Sequence, residues 1–175
     1  MRVQVMAIAV AGCLLAVQAQ AQTPAASTPI APVTGRAPLK GSPTIPYGMP
    51  ISLEQAKKAA AVLDAEIARR KLPAVTFAIV EPSGELVIYE KGTGANYASY
   101  DMAVSKAKSA ARLTRSTTFD RDRMLNGENF ILAFKDVFPT GGGVPIIVNG
   151  HVIGAVGVTG GGDEVLAQMA ADAVK

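Results

Sequence analysis

The first regular pattern of apolar and polar positions begins at Ser52. Gln55 follows three residues later, which is the spacing of a capping box at the start of a helix. Because proline cannot continue the helical hydrogen-bond ladder, this helix is expected to end at Leu72 and Pro73. One face of the predicted helix is apolar at intervals of three and four residues and consists of Leu53, Ala56, Ala60, Leu63 and Ile67.

Shorter apolar stretches predict strands that pair as two hairpins. In the first hairpin the strands surround the turn residues Pro82, Ser83 and Gly84. In the second they are joined by Asn149 and Gly150, a dipeptide that favours a type I′ turn. The predicted strands cover residues 75–80, 85–91, 144–148 and 151–159.

Two further helices are predicted, one between the hairpins and one after them. The first covers residues 101–115, and the last begins at Asp163, as its N-cap, and continues through Val174. Residues 124–138 are expected to be a shorter helical or irregular piece. This order of elements predicts an α+β fold around an antiparallel sheet, not a βαβ nucleotide-binding fold.

The helix predicted over residues 101–115 has two faces of different chemistry. Lys108, Arg112 and Arg115 form a row at intervals of four and three residues. This row either binds carboxylates or is a solvated helix face. Another face consists of small residues, which permit a close approach to a sheet: Ala103, Ala107, Ala110 and Thr114.

The first 50 residues divide into two parts of different composition. Residues 1–21 combine a positive start, an apolar run too short to span a bilayer and a small-x-small ending, so we predict a signal peptide and a periplasmic or secreted protein that begins at Gln22. A lipoprotein signal is the alternative, because residues 10–13 resemble a lipobox that ends at Cys13. Residues 22–50 are rich in Pro, Ala and Thr and are predicted to be a disordered linker, which leaves residues 51–175 as the folded domain.

Charge and rare residue types exclude several classes of function. A net charge of +3, with 5% aromatic residues and no tryptophan, argues against nucleic acid as a partner. Removal of the signal also removes Cys13, the single cysteine, so the mature chain has no disulfide and no cysteine metal site. His151 is the single histidine, which excludes a multi-histidine zinc site within one chain. No transmembrane segment is expected in the mature chain.

Four sequence motifs occur in and after the predicted hairpins: AIVEPSGEL at residues 78–86, GGGVPI at 141–146, NGHVIGAVGVTG at 149–160 and DE at 163–164. The first resembles the first hairpin, and the other three resemble the signature, of the GlcG/HbpS family of haem-degrading proteins. Glu81 and Pro82 depart from that hairpin, where the family has Asp and a small residue. The resemblance implies a profilin-like, five-stranded antiparallel sheet with helices on both faces. It also implies a homo-oligomer and, in secreted members, haem as the cofactor that is bound or degraded.

The same resemblance makes the basic helix a candidate haem site. A haem site needs an apolar wall and cations for two carboxylates, so the small-residue face is expected to lie against the ring while Arg112 or Arg115, with Lys108, reaches the propionates. Thr117 is similar in position to a threonine that the family links to haem contact. His151 is the candidate iron ligand, although a hairpin tip is expected to offer no apolar pocket.

Two function classes follow from these residues. The first is an exported haem-binding protein, with or without slow haem degradation. The second is a sensor or enzyme for a small organic acid such as glycolate, which would use the basic helix and the Gly-rich loops at residues 141–143 and 160–162. Whether the chain is an enzyme stays open, because His151 has no evident serine and aspartate partners for a catalytic triad.

Overall fold

The first helix begins where its sequence predicts and ends at Arg70, two residues before the predicted end at Leu72. The structure, a computed structural model, describes residues 44–175; the predicted signal peptide and residues 22–43 lie outside the described part. Helix α1 covers Leu53–Arg70, and the Ser52 hydroxyl accepts the Gln55 N–H at 3.2 Å while the Gln55 side chain accepts the Ser52 N–H at 3.0 Å. This confirms the capping box. Lys71, at φ 55°, ends the helix in the left-handed conformation.

The strands form one antiparallel sheet with the order β2-β1-β4-β3. Each predicted strand is confirmed to within one residue. Asn149 and Gly150 join β3 to β4 with φ values of 50° and 76°, which is the pattern of a type I′ turn. The bounds are Thr76–Val80 for β1, Leu86–Lys91 for β2, Gly143–Val148 for β3 and His151–Thr159 for β4.

The number of strands corrects the family expectation, because the described residues contain four strands and not five. The nearest approach to a fifth is the segment before α1, where Tyr47 makes an isolated parallel bridge to Val152. Gly48 N–H donates to the Val152 carbonyl at 2.9 Å, and Val152 N–H donates to the Pro46 carbonyl at 2.8 Å. Pro46 and Pro50 have no N–H to extend this pairing, so it stays a bridge. Residues 46–50, assigned to the linker by composition, therefore lie along β4.

Helices cover both faces of the sheet, as expected. Alternate strand residues point to opposite faces, so Phe77, Ile79 and Val156 pack with α1 and α4, while Ala78, Val80 and Ala155 pack with α2. The remaining helical segments are α2 at Ser99–Leu113, α3 at Thr117–Leu125, a 3-10 helix at Asn129–Ala133 and α4 at Asp163–Asp172. Of the described helices, none is long and apolar enough to cross a membrane.

The small-residue face of α2 lies directly on the sheet. Ala103, Ala107 and Ala110 are fully buried. A Cβ on Gly157 of β4 would lie 2.1 Å from the Ala103 carbonyl oxygen, and a Cβ on Gly143 would lie 2.4 Å from the Lys106 carbonyl oxygen. The predicted close approach is thus confirmed, and Gly143 and Gly157 are needed for the packing of α2 on the sheet. For the same reason the expectation that this face lies against a haem ring is wrong, because the sheet already covers it.

The other helices differ from the predictions in several places. Helix α2 ends at Leu113, not at Arg115, because Thr114 takes the left-handed conformation at φ 52°. Helix α3 was not predicted, although Ser116 is a typical N-cap and its hydroxyl accepts the Thr118 N–H at 3.2 Å. The N-cap of α4 is Gly162, and the Asp163 carboxylate instead accepts the Gly161 N–H at 2.7 Å.

Candidate functional site

The structure separates the predicted site residues into three places. Arg115 and Thr117 lie beside the edge strand β3. Arg112 and Lys108 line two hollows that share Asp136, and His151 lies at the start of β4. The basic row is broken because Thr114 ends α2 and turns Arg115 away from the helix. These residues therefore do not form one haem rim.

Arg115 is neutralised by a buried carboxylate. Its Nη2 lies 2.8 Å from Asp120 Oδ1 and its Nε lies 3.2 Å from Oδ2, and Asp120 is fully buried. The guanidinium also lies 5.3 Å from the centre of the Phe119 ring. Arg115 and Phe119 line a cavity of about 300 Å³ with Val144, Pro145 and Ile147. Asp120 accepts hydrogen bonds from two nitrogens of the guanidinium. This cavity therefore has an apolar wall, but its cation is held in a bidentate ion pair.

Thr117 holds the start of β3. Its hydroxyl oxygen accepts the Gly143 N–H at 2.9 Å and donates to the Gly143 carbonyl at 3.5 Å. The residue is fully buried. In the described arrangement its hydroxyl is therefore occupied by backbone, and its contact with haem stays a prediction.

Arg112 remains accessible at the surface. Its side chain is 42% exposed, and Nη1 lies 3.0 Å from Asp136 Oδ1. A guanidinium has five N–H donors, so this ion pair leaves capacity for a second carboxylate. Arg112 and Asp136 line a hollow of about 410 Å³ with Tyr47, Pro82 and Ser83. Lys108 and Asp136 line a smaller cavity of about 230 Å³.

His151 lines the largest hollow described here, at about 620 Å³. Its imidazole is exposed, as predicted, and Nδ1 lies 2.9 Å from the Asn149 carbonyl oxygen. The expectation of no apolar pocket is wrong, because the segment before α1 and the two strands of the hairpin supply one. The hollow is lined by Tyr47, Gly48, Met49, Val148, Asn149, His151 and Ile153.

Tyr47 connects the hollow of His151 to the hollow of Arg112. It lines both, and its hydroxyl donates to the Arg112 carbonyl at 2.8 Å. We refer to these two hollows together as the Tyr47 surface. Tyr47 is 52% exposed and Met49 is 84% exposed. Sequence reasoning missed both because they fall in the Pro-rich stretch, although Tyr47 is the first aromatic residue of the chain.

The buried charged side chains of the described residues, Lys106 and Asp120, are both paired. Within residues 44–175 there is no cluster of three or more His, Cys, Asp or Glu side chains that could hold a metal ion. Lys106 is almost fully buried, and its Nζ donates to Asp163 Oδ2 at 2.7 Å and to the Val158 carbonyl at 2.8 Å. This pair anchors the Gly-rich loop at residues 160–162, which gives that loop a structural role.

Comparisons with known proteins agree on a family and a fold. The family model described as "Haem degrading protein HbpS-like" matches residues 51–175. An uncharacterised 15.0 kDa protein from the dhaT-dhaS intergenic region of Citrobacter freundii is 33% identical over 129 residues, which is 70% of this chain and 90% of the relative. The crystal structure of Klebsiella pneumoniae ORFY is 29% identical, with a TM-score of 0.67 over 79% of this chain and 97% of that chain. A crystal structure of a PduOC–haem complex is 23% identical, with a TM-score of 0.64 over 71% of this chain and 95% of that chain. It shows the same fold.

Proposed function

The chain belongs to the HbpS-like family of haem-degrading proteins, and from that premise we propose that it binds haem at the Tyr47 surface. The observation that carries this proposal is that Tyr47 lines both the hollow of His151 and the hollow of Arg112. An apolar floor and an accessible cation therefore lie on either side of one aromatic side chain.

The floor of the larger hollow has the character that a tetrapyrrole needs. Haem is a largely apolar disc, and sites for such ligands are mostly apolar with a few placed polar groups. Val148 and Ile153 supply aliphatic contacts from the hairpin, and Met49 supplies an exposed, adaptable side chain to the same hollow. The Arg115 cavity is about half this volume, and its cation is paired with Asp120.

Arg112 is the cation best placed to meet a propionate. A charge-assisted hydrogen bond contributes about 1.5–3 kcal/mol when it is shielded from water. Arg112 is 42% exposed and already bonded to Asp136, so solvent screening reduces its contribution. We therefore expect Arg112 to contribute about 1.4 kcal/mol to haem binding, which corresponds to a factor of about ten in affinity.

Titration of the mature chain with haemin, followed by the Soret band, tests the proposal. The parent chain should give a saturable shift, and Arg112→Ala should weaken binding by about tenfold. Arg121→Ala is the matched control, because Arg121 is also exposed and paired with acidic side chains but lies near α4. Absence of a saturable Soret shift in the parent chain would contradict haem binding. Equal weakening in both variants would show a general effect of charge.

We further propose slow degradation of the bound haem, which the family description names. Haem supplies the redox chemistry when bound, and the protein residues hold and orient it. In air with ascorbate, the Soret band of the complex should therefore decay faster than that of haemin bound to serum albumin. Decay at the same rate or slower would show that this chain binds haem without degrading it.

We also propose that the protein is exported and self-associates. Export is supported by the signal-like composition of residues 1–21, and a periplasmic product that begins at Gln22 is expected. A full-length cytoplasmic product would contradict export, whereas lipid labelling that depends on Cys13 would establish the lipoprotein alternative. Self-association is supported by four apolar side chains that are each more than half exposed: Leu125, Phe130, Leu132 and Phe134. Light scattering should give a multiple of the monomer mass, and a monomer would contradict the proposal.

A further inference from the structure

We propose that Nε2 of His151 is the iron ligand of haem bound at the Tyr47 surface. The inference rests on the proposed function and adds the identity of the coordinating atom. It follows from the hydrogen bond of the imidazole, the packing at its base and the chemistry of the hollow around it.

The hydrogen bond of His151 selects one tautomer. A neutral imidazole has one nitrogen that donates and one that accepts. Nδ1 lies 2.9 Å from the Asn149 carbonyl oxygen, which can only accept, so Nδ1 carries the hydrogen. Nε2 is left with its lone pair. Metal-binding histidines use the same arrangement, in which a carbonyl or carboxylate accepts from the nitrogen that does not bind the metal.

Two contacts restrain the position of the imidazole. Asn149 belongs to the type I′ turn, which sets the direction of its carbonyl group. On the other side, a Cβ on Gly48 would lie 3.0 Å from His151 Cβ, so the segment before α1 packs directly against the base of the side chain. Gly48 is itself held by the hydrogen bond that its N–H donates to the Val152 carbonyl. A ligand that is positioned before haem arrives loses little entropy on binding.

The hollow contains two other side chains that bind haem iron in proteins, Met49 and Tyr47. The Tyr47 hydroxyl donates to the Arg112 carbonyl at 2.8 Å, so Tyr47 would have to give up this hydrogen bond to coordinate iron. Met49 has no such restraint and is 84% exposed. The thioether is the weaker donor, and its flexible side chain would have to be ordered before it could coordinate. His151 is therefore the ligand that the structure favours.

The test uses the full mature chain loaded with haemin and compares His151→Gly with Met49→Leu. His151→Gly should lose the visible and electron paramagnetic resonance signals of an imidazole-ligated iron and bind haemin at least about tenfold more weakly. Added imidazole should restore those signals in His151→Gly, because the free molecule can occupy the space of the deleted ring. Met49→Leu removes the competing thioether, keeps an apolar side chain in the hollow and should keep the signals of an imidazole-ligated iron. Circular dichroism of each variant checks that the fold is retained.

The outcomes separate this inference from the proposed function. If the parent chain gives no Soret shift, the proposed function fails and the inference fails with it. If haemin binds and depends on Arg112 but His151→Gly keeps the parent spectrum, haem binding stands and His151 ligation is overturned. Loss of the spectrum in Met49→Leu alone would identify the thioether as the ligand and would also overturn the inference. If imidazole fails to restore the signals, the loss in His151→Gly comes from an altered turn and not from a missing ligand, and the inference is overturned.

Discussion

Replacement of Gly157 by alanine should destabilise the fold strongly, because β4 and α2 touch through backbone at this position. The new Cβ would lie 2.1 Å from the Ala103 carbonyl oxygen and 2.5 Å from the Ala107 nitrogen. Ordinary contacts of a Cβ begin near 3.4 Å, so α2 would have to move by about 1 Å or more. That movement would separate the buried alanines of α2 from the sheet that they contact.

The expected magnitude is at the upper end of the range for overpacked cores. Such substitutions cost about 1–3 kcal/mol, and backbone atoms cannot move aside as a side chain can. We therefore expect Gly157→Ala to lower the free energy of unfolding by about 3 kcal/mol. This is a large part of the roughly 5–15 kcal/mol by which a typical domain is stable. The melting temperature should fall by roughly 10 °C. Urea unfolding monitored by circular dichroism gives the free energy directly.

Two variants control for other causes of the loss. Gly94→Ala adds the same methyl group at φ 86° with nothing within 4 Å, so it should show only the conformational cost of about 1–2 kcal/mol. Ala107→Gly combined with Gly157→Ala should not restore stability, because the closest contacts are with backbone atoms. If Gly157→Ala melted within about 2 °C of the parent, the close packing of α2 on β4 would be refuted.

Other parts of the fold give smaller and independent effects. Lys106→Met should lower the free energy of unfolding in urea by about 1–3 kcal/mol, because Asp163 loses its partner. The loss is limited because Asp163 is 25% exposed and can be hydrated. An unchanged free energy would contradict the anchoring role of Lys106. Burial, followed by the charge of Asp64 and its hydrogen bond, raises the pKa of Glu90. Stability linked to Glu90 is therefore present below the ordinary carboxyl range and is lost as pH rises through the raised pKa. Asp64→Asn should lower that pKa in a carboxyl NMR titration, and an unchanged value would exclude the pair. Lys71→Gly should stabilise the chain by about 0.5–1 kcal/mol in thermal unfolding, since φ is 55° and the residue is exposed; destabilisation would contradict this reasoning.

Local signals were sufficient to predict most of the secondary structure. The capping box at Ser52, the Asn149–Gly150 turn and the apolar strands each depend on neighbouring residues, and the structure has all of them. The boundary at Thr114 was not predictable in this way, because a β-branched residue is a poor choice for the left-handed conformation that it takes. The fifth strand was an expectation from family resemblance, and the apolar pattern itself indicated only the four that are present.

The candidate site depends on contacts that are distant in the sequence. Arg112 and Tyr47 are 65 positions apart, and His151 is about a hundred positions from Met49, so no local pattern connects them. Composition is also misleading at residues 46–50, because a proline-rich stretch predicts a disordered linker while these residues lie along β4. The small-residue face of α2 was correctly predicted to allow close packing, but a sequence cannot show whether a sheet or a ligand fills that space.

The most direct test of the central claim is to locate the bound tetrapyrrole on the mature chain. Gallium protoporphyrin is diamagnetic, so backbone amide NMR signals can be followed as it binds. We expect the largest shifts at Tyr47, Gly48, Met49, Val152 and Ile153. Shifts concentrated instead at Phe119, Val144 and Ile147 would place the ligand in the Arg115 cavity and contradict haem binding at the Tyr47 surface.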